Sequence, residues 1–385
     1  MNENITTERC QWIDMTKGLA IIFVVVGHSM SWNGFLNNIF FSVHMPIFFI
    51  VAGYTFNYKR EFEVFISRKI QNILLPYFFT LFFDEIIWLV YAKNLLADNS
   101  NIFNHFLYSC KVYAVGLGIN EARTSWTEIN PVGVVWFLPC LFIAEFIFFL
   151  IIKICQEDIL KIGFVSIILT LSGFLLGTKI FLPWSTDIAL FAQIFLFAGF
   201  YIKEKSILTK ELNPKLTFSF FLIWAIGICS FPISMNDRKY SIVVIPVMCA
   251  IIGSMLIMKF MLWLERKDTL ITSFFCYLGR YSIMILIFHL KDIGSLHLDL
   301  VEIYSFLYKN SRLDYSLILI IARLAVCVLL IEIFRRIPGL RNVYGLTKVK
   351  YENISEEIDD FSCMEEDSVD GFPDQSDDIN DKTDF

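Results

Sequence analysis

The chain has 385 residues, of which 56% are hydrophobic and only 18% are charged, with a formal net charge of −6. A water-soluble globular domain carries about 25% charged residues, so the composition excludes an ordinary soluble protein. Apolar runs of about 20 residues recur, which is the length that crosses a bilayer as a helix. The runs are continuous and do not alternate, which argues against a β-barrel. We therefore predict an all-α, polytopic transmembrane helical bundle.

Ten membrane spans are predicted in chain order. A polar leader covers residues 1–15 and the membrane domain covers residues 16–350. With the N-terminus in the cytoplasm, the loops on that side hold about twice as many Lys and Arg residues as the opposite loops, which predicts that both termini are cytoplasmic. The predicted spans lie at about 16–35, 40–57, 70–92, 133–152, 160–180, 187–202, 216–234, 241–262, 272–290 and 315–334.

The segment 351–385 has a different composition, with fourteen Asp and Glu residues against one Lys. It is poor in aliphatic residues, and we predict a disordered acidic tail without a chemical role. The nine cysteines are scattered and contain no C-x-x-C pair. This pattern indicates neither a disulfide framework nor a metal site.

The first span carries Asp14 and Lys17 at its entrance and His28 near its end. Lys17 and His28 are eleven residues apart, about three full helical turns, so they share one face and lie about 16 Å apart along the axis. Ionisable groups at membrane depth are candidates for function. His28 is the strongest candidate because an imidazole can accept and return a proton near neutral pH. The alternative is a structural histidine bonded to a neighbouring helix.

The next spans add further ionisable side chains. His44 lies two residues before Pro46, where a kink could open a cavity lined by the imidazole or could serve packing alone. Before the third span, Arg68 could bind phosphate, whereas Lys69 is typical of a positive-inside anchor. Glu145 in the fourth span is either a partner for a basic group or part of a site.

Two tryptophans open later spans. Trp136 lies near the start of the fourth span, and Trp184 precedes Asp187 at the start of the sixth. Both aromatics could contact a sugar, and interfacial anchoring is the alternative role.

The ninth span has Arg280 near its predicted cytoplasmic end and His289 at the far end. Together with Lys17, Arg68 and Arg323, Arg280 gives several cations in or at the edge of one bundle, which suits a cavity for a phosphorylated ligand. The P-loop, nucleophile-elbow and zinc-protease motifs do not occur in the sequence.

Five motifs in matching order, from about residue 9 to about residue 340, resemble the acyltransferase-3 family of membrane O-acyltransferases. The first is a basic residue followed by ten residues and a histidine, in IDMTKGLAIIFVVVGH. The second is FSVHMPIFFIVAGYTF, in which Ala52 replaces the more common serine. The remaining three, PVGVVWFLPCLFIAE, LPWSTDIALFAQIFLFAGFYI and LGRYSIMILIFHL, resemble the fucose 4-O-acetylase-like branch.

The resemblance implies a multi-pass enzyme of a bacterial plasma membrane that transfers acetyl from acetyl-CoA to a sugar hydroxyl. The acceptor would be a cell-surface polysaccharide or its lipid-linked precursor. The implied partners are therefore acyl-CoA, a carbohydrate and membrane lipid, with no tightly bound cofactor, no metal and no nucleic acid. The resemblance assigns the first-helix function to Lys17 and His28. Secondary assignments fall on His44, Arg68, Trp136 and Glu145.

The resulting hypothesis gives each candidate a role. Lys17, Arg68 and Arg280 hold the CoA phosphates, and Lys17 keeps the charge of the family's usual arginine but loses its bidentate fork. His28 is the general base, with Lys17, His44 and Glu145 as the other catalytic candidates. The acceptor contacts are Trp136, Trp184, Asp187 and His289.

Two other functions remain open at this point. Buried His, Glu and Arg residues also suit a transporter or flippase for a polysaccharide intermediate or small molecule, although the two halves show no convincing repeat. A scaffold in a glycan-assembly complex that has lost its chemistry is the third possibility, and the presence of both Lys17 and His28 argues against it.

Overall fold

A computed structural model describes residues 7–29, 35–92, 99–119, 126, 128–211, 213–230, 233–240, 244–267, 269–289, 315–346 and 349–351. The described residues fall into two units, a small one of residues 7–10 and 349–351 and a large one within residues 11–346. In the small unit, strands β1 (Thr7–Arg9) and β4 (Val349–Tyr351) pair in parallel. The predicted acidic tail lies outside the described residues from residue 352 onward.

The large unit is built almost entirely of helices. Its α-helices are α1 (Gln11–Ser29), α2 (Phe35–Tyr54), α3 (Phe62–Lys69), α4 (Leu75–Ala92), α5 (Asn99–Val115), α6 (Phe137–Ile154), α7 (Ile159–Gly177), α8 (Thr186–Phe191), α9 (Gln193–Glu204), α10 (Pro214–Ser230), α11 (Val244–Glu265), α12 (Leu270–Arg280), α13 (Ser282–Phe288), α14 (Tyr315–Phe334) and α15 (Pro338–Val343). A π-helical turn, Ile70–Leu74, joins α3 to α4, and 3₁₀ turns Gly133–Trp136 and Pro183–Ser185 precede α6 and α8. Between α10 and α11, strands β2 (Ile233–Ser234) and β3 (Lys239–Tyr240) form an antiparallel hairpin.

Among the described residues, six helices are long and apolar enough to cross a membrane, and up to eight spans result if two bent pairs each count as one. The bent pairs are Pro183–Phe191 with Gln193–Glu204, at 50°, and Leu270–Arg280 with Ser282–Phe288, at 65°. The chain is therefore a helical multi-pass membrane protein. The predicted count of ten is not confirmed, because it requires the shorter apolar helices Asn38–Tyr54 and Pro214–Cys229 to cross as well.

Local sequence sets where two of the helices begin. Asp158 caps α7 by accepting hydrogen bonds from the backbone N–H groups of Leu160 and Lys161. The bond from the Lys161 N–H stabilises the charged form and lowers the pKa of the Asp158 carboxyl. Thr269 caps α12 in a reciprocal box with Thr272.

Glycines allow two helix pairs to touch at the backbone. A Cβ added to Gly18 of α1 would overlap the carbonyl of Phe275 in α12, and one added to Gly279 would overlap the carbonyl of Asp14. Helices α2 and α9 meet in the same way, with Gly53 against the carbonyl of Leu196. The missing side chains let each pair pack more closely than larger residues permit.

The two ends of α1 mark the two ends of the helical bundle. At the Trp12 end, the Trp12 ring packs edge-on against Tyr54 at the end of α2, with centroids 5.2 Å apart. The backbone N–H of Trp12 donates to Glu265 Oε1 at the end of α11, at 2.9 Å. Helices α12 and α13 follow α1 from this end to the opposite one, because Cys276 contacts Gln11 and His289 contacts His28. The opposite end is the His28 end.

Candidate active site

His28 lies in the last turn of α1 and its side chain is exposed, although Val24, Val25 and Ser29 beside it are buried. Arg323 of α14 fixes this end of the helix. Its Nη1 donates to the His28 carbonyl at 2.8 Å and to Ser29 Oγ at 2.9 Å. The guanidinium thus satisfies a carbonyl that the helix leaves open and places a cation at the negative end of its dipole.

Three histidines from three helices meet at the His28 end. The His28 ring centroid is 5.5 Å from that of His289, which follows α13. Phe41 of α2 lies between His28 and His44, with its ring centroid 6.1 Å from the first and 4.7 Å from the second. We call His28, His44 and His289 the histidine cluster.

Hydrogen bonds fix the tautomers of the two buried histidines. His44 Nδ1 donates to the Phe40 carbonyl at 3.1 Å, and His289 Nδ1 donates to the carbonyls of Ile285 at 3.0 Å and Leu286 at 2.9 Å. A carbonyl only accepts, so each Nδ1 carries the hydrogen and each neutral ring presents Nε2 as an acceptor. His289 Nε2 is buried and has no hydrogen-bond partner among the described residues.

The β2–β3 hairpin is held at the His28 end by a buried ion pair. Arg238 Nε and Nη2 donate to the two Asp187 carboxylate oxygens at 2.9 and 3.2 Å, and both side chains are 1% exposed. The guanidinium also lies 3.9 Å from the centroid of the Phe181 ring. Asp187 Oδ1 accepts from the Leu182 N–H at 3.1 Å. Asp187, predicted to contact the acceptor, is therefore occupied in joining two loops.

The hairpin turn brings an amide to Trp136 and carries a charge that acts on His28. Gly118 lies directly against the Asn236 amide and the Trp136 indole, and the indole is buried. The next residue, Asp237, is 37% exposed and acts electrostatically on the His28 imidazole. This turn was not among the predicted site residues, and its signal in the sequence is the polar run NDR between two apolar spans.

Trp184 packs against other residues at the same end of the bundle. Its indole Nε1 donates to the Tyr113 carbonyl at 3.3 Å, and its ring packs edge-on against Tyr77. The backbone of Trp184 has a positive φ of 55°, which turns the chain sharply into α8. These contacts anchor the loop, and a sugar contact by Trp184 stays a prediction.

Glu145 pairs with Lys69 at a distance of 2.8 Å, and its side chain is 3% exposed. On α6 it lies nine residues beyond Trp136, about two and a half turns toward the Trp12 end. The structure thus places Glu145 beside a cation and apart from the histidine cluster. Lys69, predicted to be a surface anchor, is its partner.

The predicted phosphate ligands lie toward the Trp12 end. Arg280 follows Gly279, which touches the backbone of α1 near Asp14 and Gly18, so Arg280 is level with Lys17. Arg68 lies one turn after Phe65, which packs on Phe56 just beyond the end of α2. All three cations are partly exposed. Arg323 does not join them, because its contacts place it at the His28 end.

The face of α1 between Lys17 and His28 is closed by packing. Ile21 and Val24 lie on the stripe that joins the two side chains, and they are 0% and 1% exposed. The described residues include no group of three or more His, Cys, Asp or Glu side chains arranged to hold a metal ion.

The fold and the site define a multi-pass helical membrane protein with a histidine cluster at one end and cations toward the other. A family model described as "Acyltransferase domain" matches residues 11–332, from the start of α1 almost to the end of α14. The chain therefore belongs to this acyltransferase family, as the motifs predicted. No curated protein matches the chain, and no solved structure does. The fucose 4-O-acetylase-like branch stays a prediction.

Proposed function

We propose that the protein is a membrane O-acyltransferase that moves acetyl from acetyl-CoA to a hydroxyl of a cell-surface polysaccharide or its lipid-linked precursor, in a bacterial plasma membrane. Membership of the acyltransferase family supports acyl transfer. The observation that carries the site assignment is the exposed His28 imidazole, which lies on a buried helix beside His289.

The donor binds through its phosphates at the Trp12 end. Lys17 and Arg280 lie at the same level there, and Arg68 is on α3, one turn after Phe65, which packs on Phe56 just beyond the end of α2. Guanidinium and ammonium groups both bind phosphate, the first through paired donors and the second as a point charge. The separation of about 16 Å between Lys17 and His28 along α1 is comparable with an extended cofactor arm.

The extended arm of acyl-CoA needs a route from the Trp12 end to His28. The seam between α1 and α12 is sealed by the contact of Gly18 with Phe275, and Ile21 and Val24 are packed. An arm that follows α1 therefore requires its neighbours to move apart, because packed interiors leave no space for a chain of atoms.

In the transfer step, His28 takes the proton of the sugar hydroxyl while the hydroxyl oxygen attacks the thioester carbonyl. The new C–O bond forms, the C–S bond breaks, and the proton passes to the departing CoA thiolate. Arg323, beside His28, supplies positive charge for the oxyanion that forms in between. His44, whose Nδ1 is bonded to the Phe40 carbonyl, orients the acceptor through its Nε2.

The test uses membranes containing the protein, acetyl-CoA labelled in the acetyl group, and lipid-linked glycans of the host. Base-labile label in the glycan is expected with the wild-type protein and is expected to fall by about 10²- to 10⁴-fold in His28→Ala. His105→Ala is the matched control, since His105 stacks on Trp88 and pairs with Glu85 outside the cluster. Equal transfer by His28→Ala and wild type would refute the assignment of His28. Failure of acetyl, succinyl and longer donors would refute acyl transfer.

A further inference from the structure

His289 is the most deeply buried member of the histidine cluster. Its side chain is 1% exposed, and its ring centroid is 5.5 Å from that of His28, with the planes tilted by 41°. The two residues come from helices that run side by side, with α12 and α13 following α1 toward the same end. The contact is therefore a consequence of how α1 packs against that helix pair.

The ring of His289 is held in one orientation. Its Nδ1–H is shared between the carbonyls of Ile285 and Leu286, one turn earlier in the same helix. Its Nε2 is left as a buried acceptor with no hydrogen-bond partner among the described residues. Buried acceptors are rarely left without a donor, so this atom calls for a donor from a group that can reach it.

The N–H of the His28 imidazole meets this requirement. The separation of 5.5 Å between the two ring centroids is close to that of two imidazoles joined by an N–H···N bond of ordinary length. The His28 side chain is exposed, so part of its ring is not covered by its neighbours His289 and Phe41. Arg323 binds the backbone carbonyl of His28 and leaves the ring available.

We propose that His289 is the positioning residue of the proposed acyl transfer. Its Nε2 accepts the N–H of His28, and the other nitrogen of His28 then faces the hydroxyl whose proton it takes. A third group that orients the base is a general feature of activated nucleophile systems. This inference rests on the proposed function and replaces the expected sugar contact of His289 with a contact to His28.

The experiment compares kcat and KM for donor and acceptor in His289→Phe and His289→Gln. The Phe variant is expected to lower kcat by about 10- to 100-fold, as loss of an orienting partner does, with both KM values unchanged. The Gln variant is expected to retain more activity, because its amide can donate to a carbonyl and accept from His28. His28→Ala combined with His289→Phe should be no slower than His28→Ala alone, since the second residue acts through the first.

Asp237 is the competing candidate for the same role, since it also acts on the His28 imidazole. Asp237→Asn should therefore lower kcat less than His289→Phe does. If Asp237→Asn shows the kcat loss and His289→Phe does not, the inference is wrong. A raised acceptor KM with normal kcat in His289→Phe would instead make His289 a substrate contact and would equally refute it.

Two comparisons distinguish failure of this inference from failure of the proposed acyl transfer on which it rests. No transfer by the wild-type protein overturns the proposed function and the inference with it, whereas full transfer by wild type and His289→Phe overturns the inference alone. If His289→Phe does not accumulate as folded protein, His289→Gln and the shorter His289→Asn replace it. Equal kcat values for these two would then count against an orienting bond.

Discussion

Arg238 and Asp187 form a bidentate ion pair that is almost completely removed from solvent, with N···O distances of 2.9 and 3.2 Å. The pair joins the β2–β3 hairpin to the start of α8, and 51 residues separate its members. The same hairpin brings Asn236 to Trp136, and its Asp237 acts electrostatically on His28. The long-range ion pair therefore holds the hairpin in place at the His28 end, where Arg323 also binds the end of α1.

Replacement of Arg238 by Met should destabilise the protein by about 3–5 kcal/mol, because Asp187 is left as a buried charge without its partner. The double variant Arg238→Met/Asp187→Leu should recover most of this loss, since two apolar groups can fill the same space. Thermal unfolding of purified protein in detergent measures both. Lys239→Ala is the control, because the Lys239 side chain is 73% exposed. A double variant less stable than Arg238→Met alone would contradict the expectation.

The contact between α1 and α12 predicts that Gly18→Ala and Gly279→Ala each destabilise the protein by about 1–3 kcal/mol, because the added methyl overlaps a backbone carbonyl. Gly339→Ala is the matched control, since a Cβ at Gly339 meets nothing within 4 Å. The measurement is the midpoint of unfolding in detergent. Equal midpoints for Gly18→Ala and Gly339→Ala would show that the two helices are further apart than described.

Lys17→Ala should raise the KM for acyl-CoA by about 10-fold or more, because it removes a hydrogen bond between a charged group and phosphate. We expect kcat to change little. Lys17→Arg should keep the wild-type KM, because it keeps the charge and adds donors. Lys161→Ala provides the comparison, since Lys161 is exposed and pairs locally with Asp158. A fall in kcat at constant KM would place Lys17 in the chemical step and not in donor binding.

The Lys69–Glu145 pair predicts an asymmetric loss of stability. Lys69→Met leaves Glu145 buried and charged, with an expected cost of about 3–5 kcal/mol. Glu145→Gln should cost only about 1–2 kcal/mol, because Lys69 is 23% exposed and can turn to solvent. We expect kcat to stay near wild type in Glu145→Gln, as the pair lies apart from the histidine cluster. Loss of transfer by a stable Glu145→Gln protein would instead support the catalytic assignment made from the sequence.

The sequence was informative wherever a property belongs to one helix. Apolar runs of bilayer length predicted a multi-pass helical protein, and the basic-x₁₀-His motif with four others predicted the family that residues 11–332 match. The face shared by Lys17 and His28 follows from helical periodicity alone. Periodicity could not show that Ile21 and Val24 between them are covered, because that depends on the neighbouring helices.

What only the tertiary structure decided is which polar groups meet. His28 lies beside His289, Glu145 beside Lys69 and Asp187 beside Arg238, across separations of 261, 76 and 51 residues. Each partner was one of several ionisable residues that the sequence placed in or near the membrane. The choice among them depends on the order, tilt and depth of packed helices, and these are set by contacts such as Gly18 with Phe275. The sequence by itself determined the class of protein and the faces of its helices, whereas packing between helices decided the composition of the site.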